Sequence, residues 1–89
     1  MPSADINARM YFDQGRASFA RREFDQAADL FTRAVQADPK YGEAQRYLAE
    51  CYEKLGYRHR ARKAWEALLR ITTDKAQQKE INDRLSALI

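Results

Sequence analysis

The strongest constraint on this chain is that it repeats itself. Ala27 returns as Ala61, Phe31 as Trp65, Gly15 as Ala49, Ser18 as Tyr52 and Ala34 as Leu68, each pair 34 residues apart. Positions 15 and 27 stay small, position 31 stays aromatic, and the helical phase is kept. A period of this length is the mark of an array in which one supersecondary unit is copied and stacked, because a single unit cannot bury its own apolar face.

Apolar residues recur at helical spacing along the whole chain, and no stretch alternates with the period of two that a half-buried strand requires. The pattern predicts helices over about 5–20, 24–37, 41–55, 58–71 and 75–88. Their ends carry physical stop and start signals. Asp38-Pro39 ends the second helix, since the residue before proline avoids the helical region. Gly56 offers a left-handed cap to the third, and Thr73-Asp74 offers an N-cap to the fifth. Helices joined by such short connections fold as antiparallel hairpins. The fold class expected is therefore all-α, as stacked antiparallel helix hairpins.

Within that class the repeat positions match a known family. Tyr11, Gly15, Phe24, Ala27, Phe31, Ala34 and Pro39 reproduce an aromatic–Gly–aromatic–Ala–Phe–Ala–Pro series in order and spacing. Leu48, Ala49, Tyr52, Gly56, Ala61 and Trp65 repeat it in the second unit. In this the chain resembles the tetratricopeptide repeat (TPR) family over roughly residues 8–73. The resemblance implies a fragment of α-solenoid spanning 1–89 as one domain, with 8–41 as the first repeat, 42–73 as the second and 74–89 as a capping helix. The physical reading agrees. Small residues at 15, 27, 49 and 61 let paired helices approach, while Phe31, Tyr52 and Trp65 are expected to be buried. Three positions depart from the family pattern: Arg22 stands where glycine is favoured, Leu68 replaces a small residue and Thr73 replaces a second proline. A left-handed backbone at Arg22 would cost about 1 kcal/mol.

The family geometry further implies that the first helix of each hairpin lines a concave face. That face is expected to present Arg9, Phe12, Asp13 and Arg16 from the first unit, and Glu43, Arg46, Tyr47 and Glu50 from the second. Phe12 and Tyr47 are expected to lie off the core stripe, as aromatic anchors flanked by arginines, although single exposed aromatics are also ordinary surface. Some family members clamp an acidic peptide terminus with Lys, Asn and Arg on this face. Here the matching positions are Phe12, Arg16 and Tyr47, and only Arg16 suits a carboxylate, so that clamp is not expected. Arg9, Phe12, Arg16, Arg46, Tyr47 and Glu50 are the candidate contacts for a protein segment bearing apolar and acidic side chains.

A second candidate surface is a basic edge. Arg58, His59 and Arg60, followed by Arg62 and Lys63, have no acid between Glu53 and Glu66, and Arg21 and Arg22 occupy the matching turn of the first hairpin. Contact with nucleic acid or another anion competes there with a plain solvated face on which Arg62–Glu66 and Glu66–Arg70 pair at helical spacing. The net charge of +3 does not favour nucleic acid on its own.

Other classes of function lack the residues they need. His59 is the only histidine and Cys51 the only cysteine. No metal set, nucleophile–base pair or intramolecular disulfide follows from them, and the isolated glycines form no phosphate loop. No metal, cofactor or catalytic role is expected. Cys51 falls on a packing side of its helix and reads as an inert buried thiol. No apolar run approaches a membrane span, and the N-terminus lacks the pattern of a secretory signal. A cytoplasmic protein-binding scaffold or adaptor is the expectation, in a chain that is either whole or one domain of a longer protein. The alternative is a self-associating structural module or a basic-edge accessory. Weak dimerisation is expected through Ile81, Leu85, Leu88 and Ile89 if the fifth helix leaves them uncovered.

Overall fold

The computed structural model describes residues 3–88. Five helices form among them: α1 (Ile6–Ala20), α2 (Phe24–Ala37), α3 (Gly42–Leu55), α4 (Arg58–Ile71) and α5 (Lys75–Ala87). No strand is present among the described residues. Each helix packs chiefly on its neighbours in the chain, α1 on α2, α2 on α3, α3 on α4 and α4 on α5. The result is two stacked hairpins and a final helix, within 31 × 27 × 18 Å.

The two hairpin turns are built alike, 34 residues apart. In the first, the Glu23 N–H donates to the Ser18 carbonyl; in the second, the Tyr57 N–H donates to the Tyr52 carbonyl. Each turn needs one left-handed residue between helix and exit. Gly56 supplies it at φ 80° and Arg22 at φ 62°. Arg22 therefore carries the left-handed strain that its position implied, and its guanidinium lies 5.8 Å from the centre of the Phe24 ring. Where the chain passes from one hairpin to the next, Asp38 holds the turn: its carboxylate accepts from the Lys40 N–H and from the Ser3 hydroxyl. Asp5 caps α1 through the Ala8 N–H, and Asp74 caps α5 through the Gln77 N–H.

Small residues sit at the helix crossings as the repeat required. Ala27, Ala49 and Ala61 are fully buried, and Gly15 backs directly onto Phe31. A Cβ placed on Gly15 would stand 2.7 Å from Cε1 of that ring, and Phe31 is itself fully enclosed, with no room to retreat. Gly15→Ala is thus expected to lose about 1–3 kcal/mol to overpacking and to regain about 1 kcal/mol of helix propensity. The net change is a destabilisation of up to about 2 kcal/mol, measurable by urea unfolding. A stability increased by the full helix propensity of about 1 kcal/mol would show that the two helices can separate at no cost.

The core runs through the stack as a row of large side chains, with Phe31, Trp65 and Ile81 each fully buried. Tyr52 departs from expectation. It is only half-buried, because it lies at the rim beside the hairpin turn, where Tyr57 and the Arg60 guanidinium cover its ring. The fifth helix covers its apolar stripe unevenly. Ile81 is satisfied within the chain, while Leu85 and Leu88 pack against the core as partly buried residues; Ile89 lies outside the described residues. The exposed large apolar side chains among the described residues are Ile6 and Met10 of α1, at the other end of the stack, and Tyr57 at the second hairpin turn.

Candidate functional site

Helices α1, α3 and α5 bring equivalent positions side by side at intervals of 34 residues. Arg16, Glu50 and Arg84 form one such row, and Phe12, Arg46 and Glu80 another. The rows differ in what they leave open, and this changes the candidate site.

Phe12 is not an exposed anchor. It is 4% exposed, because Ala8, Phe12, Gly15 and Phe19 share one face of α1 and that face is the core face. Tyr41, from the turn between the hairpins, closes over the Phe12 ring with centroids 4.9 Å apart. Phe31 and Tyr47 complete its surroundings at 5.7 Å each. Tyr47 is half-buried for a related reason. It stacks on Phe31 at 5.2 Å with 20° between the planes and meets Phe19 edge-on at 5.3 Å. Ile81 is the equivalent position 34 residues later and, like Trp65, is fully buried in the core. Tyr47 and Ile81 are the packing of one helix onto the large side chain of the preceding hairpin. The spacing of 8, 12, 15 and 19 was the signal in the sequence for Phe12 being core.

Arg46 is also engaged. Its guanidinium makes two contacts with the Glu80 carboxylate, at 3.1 and 3.3 Å, and lies 5.5 Å from the centre of the Trp65 ring. Arg84 approaches the same ring at 5.1 Å and Glu53 at 3.9 Å, and Glu53 accepts the indole N–H. These residues fasten α5 to α3 and α4. Opposite charges at 46 and 80, one repeat apart, are the sequence signal for that pairing.

What remains open along α1 and α3 is a charged rim over an aromatic floor. Arg9 and Arg16 on α1 are exposed and Glu50 on α3 is half-buried, with the Arg16 guanidinium 5.8 Å from the Phe12 ring centre. Beside them a cleft of about 440 Å³ opens between α3 and the α4–α5 turn. Leu68 and Ile71 give it an apolar wall, and Lys40, Glu43, Arg46 and Asp74 contribute charges of both signs. Tyr41, buried under this rim, has its phenol pKa raised by burial and by the nearby Glu43 and Asp13 carboxylates.

The hairpin-turn edge is less basic than its sequence. Arg21 pairs with Glu23 at 3.0 Å, Arg22 covers Phe24, and Arg60 lies over Tyr52 and Tyr57 at 6.0 and 5.4 Å. Asp25 and Asp29 of α2 line the same small depression as Arg60. Arg62, rather than reaching Glu66, donates to Nδ1 of His59 at 3.4 Å; Arg58 is exposed. Folding thus brings Asp25 and Asp29 of the first hairpin, the latter paired with Arg33, to the same depression as Arg60 of the second.

Cys51 is fully buried. Burial first, and then the Glu50 carboxylate, push its thiol pKa up to about 12, so it stays protonated and unreactive at neutral pH. Among the described residues no group of three His, Cys, Asp or Glu side chains is placed to hold a metal, and no helix is long and apolar enough to cross a membrane.

A search of curated proteins finds no match to the chain. A family model does match, the tetratricopeptide repeat, over residues 12–81. With paired hairpins, small residues at the crossings, Phe31 and Trp65 buried between units and left-handed turns at 22 and 56, the chain belongs to the tetratricopeptide repeat family.

Proposed function

We propose that this chain is a scaffold or adaptor that holds a segment of a partner protein on its concave side, and that it catalyses no reaction. Repeats of this family generally serve as protein–protein interaction modules. The observation that carries the reading is the cleft beside α3, in which the apolar wall of Leu68 and Ile71 stands next to the cations Lys40 and Arg46. A segment with an apolar and an acidic side chain has a complement for each there. Arg9, Arg16 and Glu50 continue the contact surface along the rim, and Phe12 and Tyr47 act beneath it as its floor. In this reading the first repeat spans 8–41, the second 42–73, and 74–89 caps the array; the working compartment is the cytoplasm.

The test uses the intact chain as bait in native extract, beside Arg16→Glu, Lys40→Glu and Glu50→Lys. These positions carry little of the core, so the helical circular dichroism of each variant should match the parent. The expected result is a captured protein that is lost or weakened with the variants, with association slowed by Arg16→Glu and less dependent on salt. Chemical-shift changes on adding the captured segment should fall on residues of α1, α3 and the α4–α5 turn. Changes confined to 21–22 and 58–63 would overturn the groove in favour of the hairpin-turn edge.

A further inference from the structure

We propose that the outer face of α1 is a two-fold interface for a second copy of this chain. Ile6 is 79% and Met10 43% exposed, one helical turn apart, with Ala17 exposed on the same face. The corresponding positions one repeat later show what such a face is for. Ala44, Leu48 and Cys51 stand 34 residues after Met10, Gln14 and Ala17, and all three are buried. They are covered because α2 precedes α3, whereas no helix precedes α1 among the described residues.

The two ends of the array are unlike, and this selects the occupant. On α5, the positions equivalent to Leu48, Ala49 and Tyr52 are Asn82, Asp83 and Ser86, all exposed. Stacking α1 of one copy on α5 of another would bury these polar groups against Ile6 and Met10 without partners, which is costly. A two-fold pairing of α1 with α1 sets Ile6, Met10 and Ala17 against their copies, leaves Gln14 at the edge of that face as its one uncharged polar group, and closes after two copies.

Charge supports the same arrangement. Arg9 and Asp13 are both exposed and lie on one flank of the Ile6–Met10 face, four residues apart. In an antiparallel two-fold pair like flanks meet. Setting Ile6 opposite Ala17 of the second copy brings Arg9 level with Gln14 of that copy, one residue and about 1.5 Å along the axis from Asp13, so the Arg9 side chain reaches that Asp13, and the symmetry makes the contact twice. Met10 of each copy lies beside the axis. With two large apolar side chains per copy the interface falls below the roughly 800 Å² per partner of a stable complex, so the association is weak.

Sedimentation equilibrium and light scattering of the intact chain, up to millimolar concentration, should show a reversible monomer–dimer equilibrium. Met10→Glu should abolish it while leaving the helical spectrum and the melting temperature near those of the parent. Arg9→Asp and Asp13→Arg should each weaken self-association by ~10-fold or more, since each sets like charges face to face. Mixing these two variants should restore dimerisation, because the mixed pair has both attractions again. A monomer at every concentration would overturn the proposal. So would a dimer indifferent to Met10→Glu, a mixture that fails to associate, or a dimer lost instead through Leu88→Glu.

Discussion

Phe12→Ala is expected to destabilise the chain by about 3–5 kcal/mol. The ring is enclosed by Phe31, Tyr41 and Tyr47, which come from α2, from the turn between hairpins and from α3. Its removal opens a cavity where the first hairpin meets the second, and rigid aromatic neighbours collapse poorly into such a space. A domain of this length has a total stability of roughly 4–13 kcal/mol at the usual 0.05–0.15 kcal/mol per residue. One truncation would therefore remove a large part of it. Urea unfolding followed by circular dichroism measures the change. If Phe12→Ala unfolds with the parent, the ring is not a core element, and an exposed groove anchor becomes the correct description of it. The same result bears on binding experiments: lost capture by Phe12→Ala would reflect unfolding, which is why Arg16, Lys40 and Glu50 are the better probes.

The hairpins were legible in the sequence because their causes are local. Caps and stops such as Asp74, Gly56 and Asp38-Pro39 act within a few residues. The 34-residue echo of Gly15, Ala27 and Phe31 also states which helix faces which. Helix ends accordingly all fall within one residue of expectation: α1 begins at 6 rather than 5, with Asp5 as its cap, α3 begins at 42 rather than 41, and α5 ends at 87 rather than 88. The candidate site was harder to read because exposure depends on what arrives from elsewhere. Phe12 looked free until Tyr41 closed over it, and Tyr41 lies in a turn with no periodicity to announce its direction. Arg46 looked available until α5 brought Glu80 to it. The run at 58–63 looked uniformly basic until α2 set Asp25 and Asp29 beside Arg60. For Phe12 the face itself differs from the expectation, since 8, 12, 15 and 19 line the core side of α1; for Arg46 and Arg60 the face is the expected one, and its occupant comes from a segment about 25 to 35 residues away, the spacing at which stacked repeats meet.

Trp65→Ala should likewise cost about 3–5 kcal/mol, but its loss is expected to begin in one place. The indole is the point at which α5 is fastened: Arg46 and Arg84 lie against the ring, Glu53 accepts its N–H, and Ile81 of α5 is fully buried in the same core cluster. α5 packs mainly on α4, and its ion pairs to α3 are at the surface, where each contributes only about 0–1 kcal/mol. With the ring gone, those pairs are too weak to hold the helix. Limited trypsin digestion should then cut at Lys75, Lys79 and Arg84 under conditions that leave sites in α1–α3 intact. Trp65→Phe separates the two contributions. It keeps most of the buried area and removes the N–H, so it should cost about 1.5–3 kcal/mol for a hydrogen bond to a charged acceptor while leaving α5 protected from trypsin. Trp65 is the only tryptophan in the chain, so in the parent its fluorescence reports this layer alone. A fluorescence transition that coincides with the circular dichroism transition would show the layer melting with the whole domain. An earlier fluorescence transition would show α5 leaving first even with the ring in place. If Trp65→Ala leaves α5 as resistant to trypsin as the parent, the indole is not what fastens it, and the Arg46–Glu80 and Arg84–Glu53 pairs hold α5 more strongly than surface charges ordinarily do.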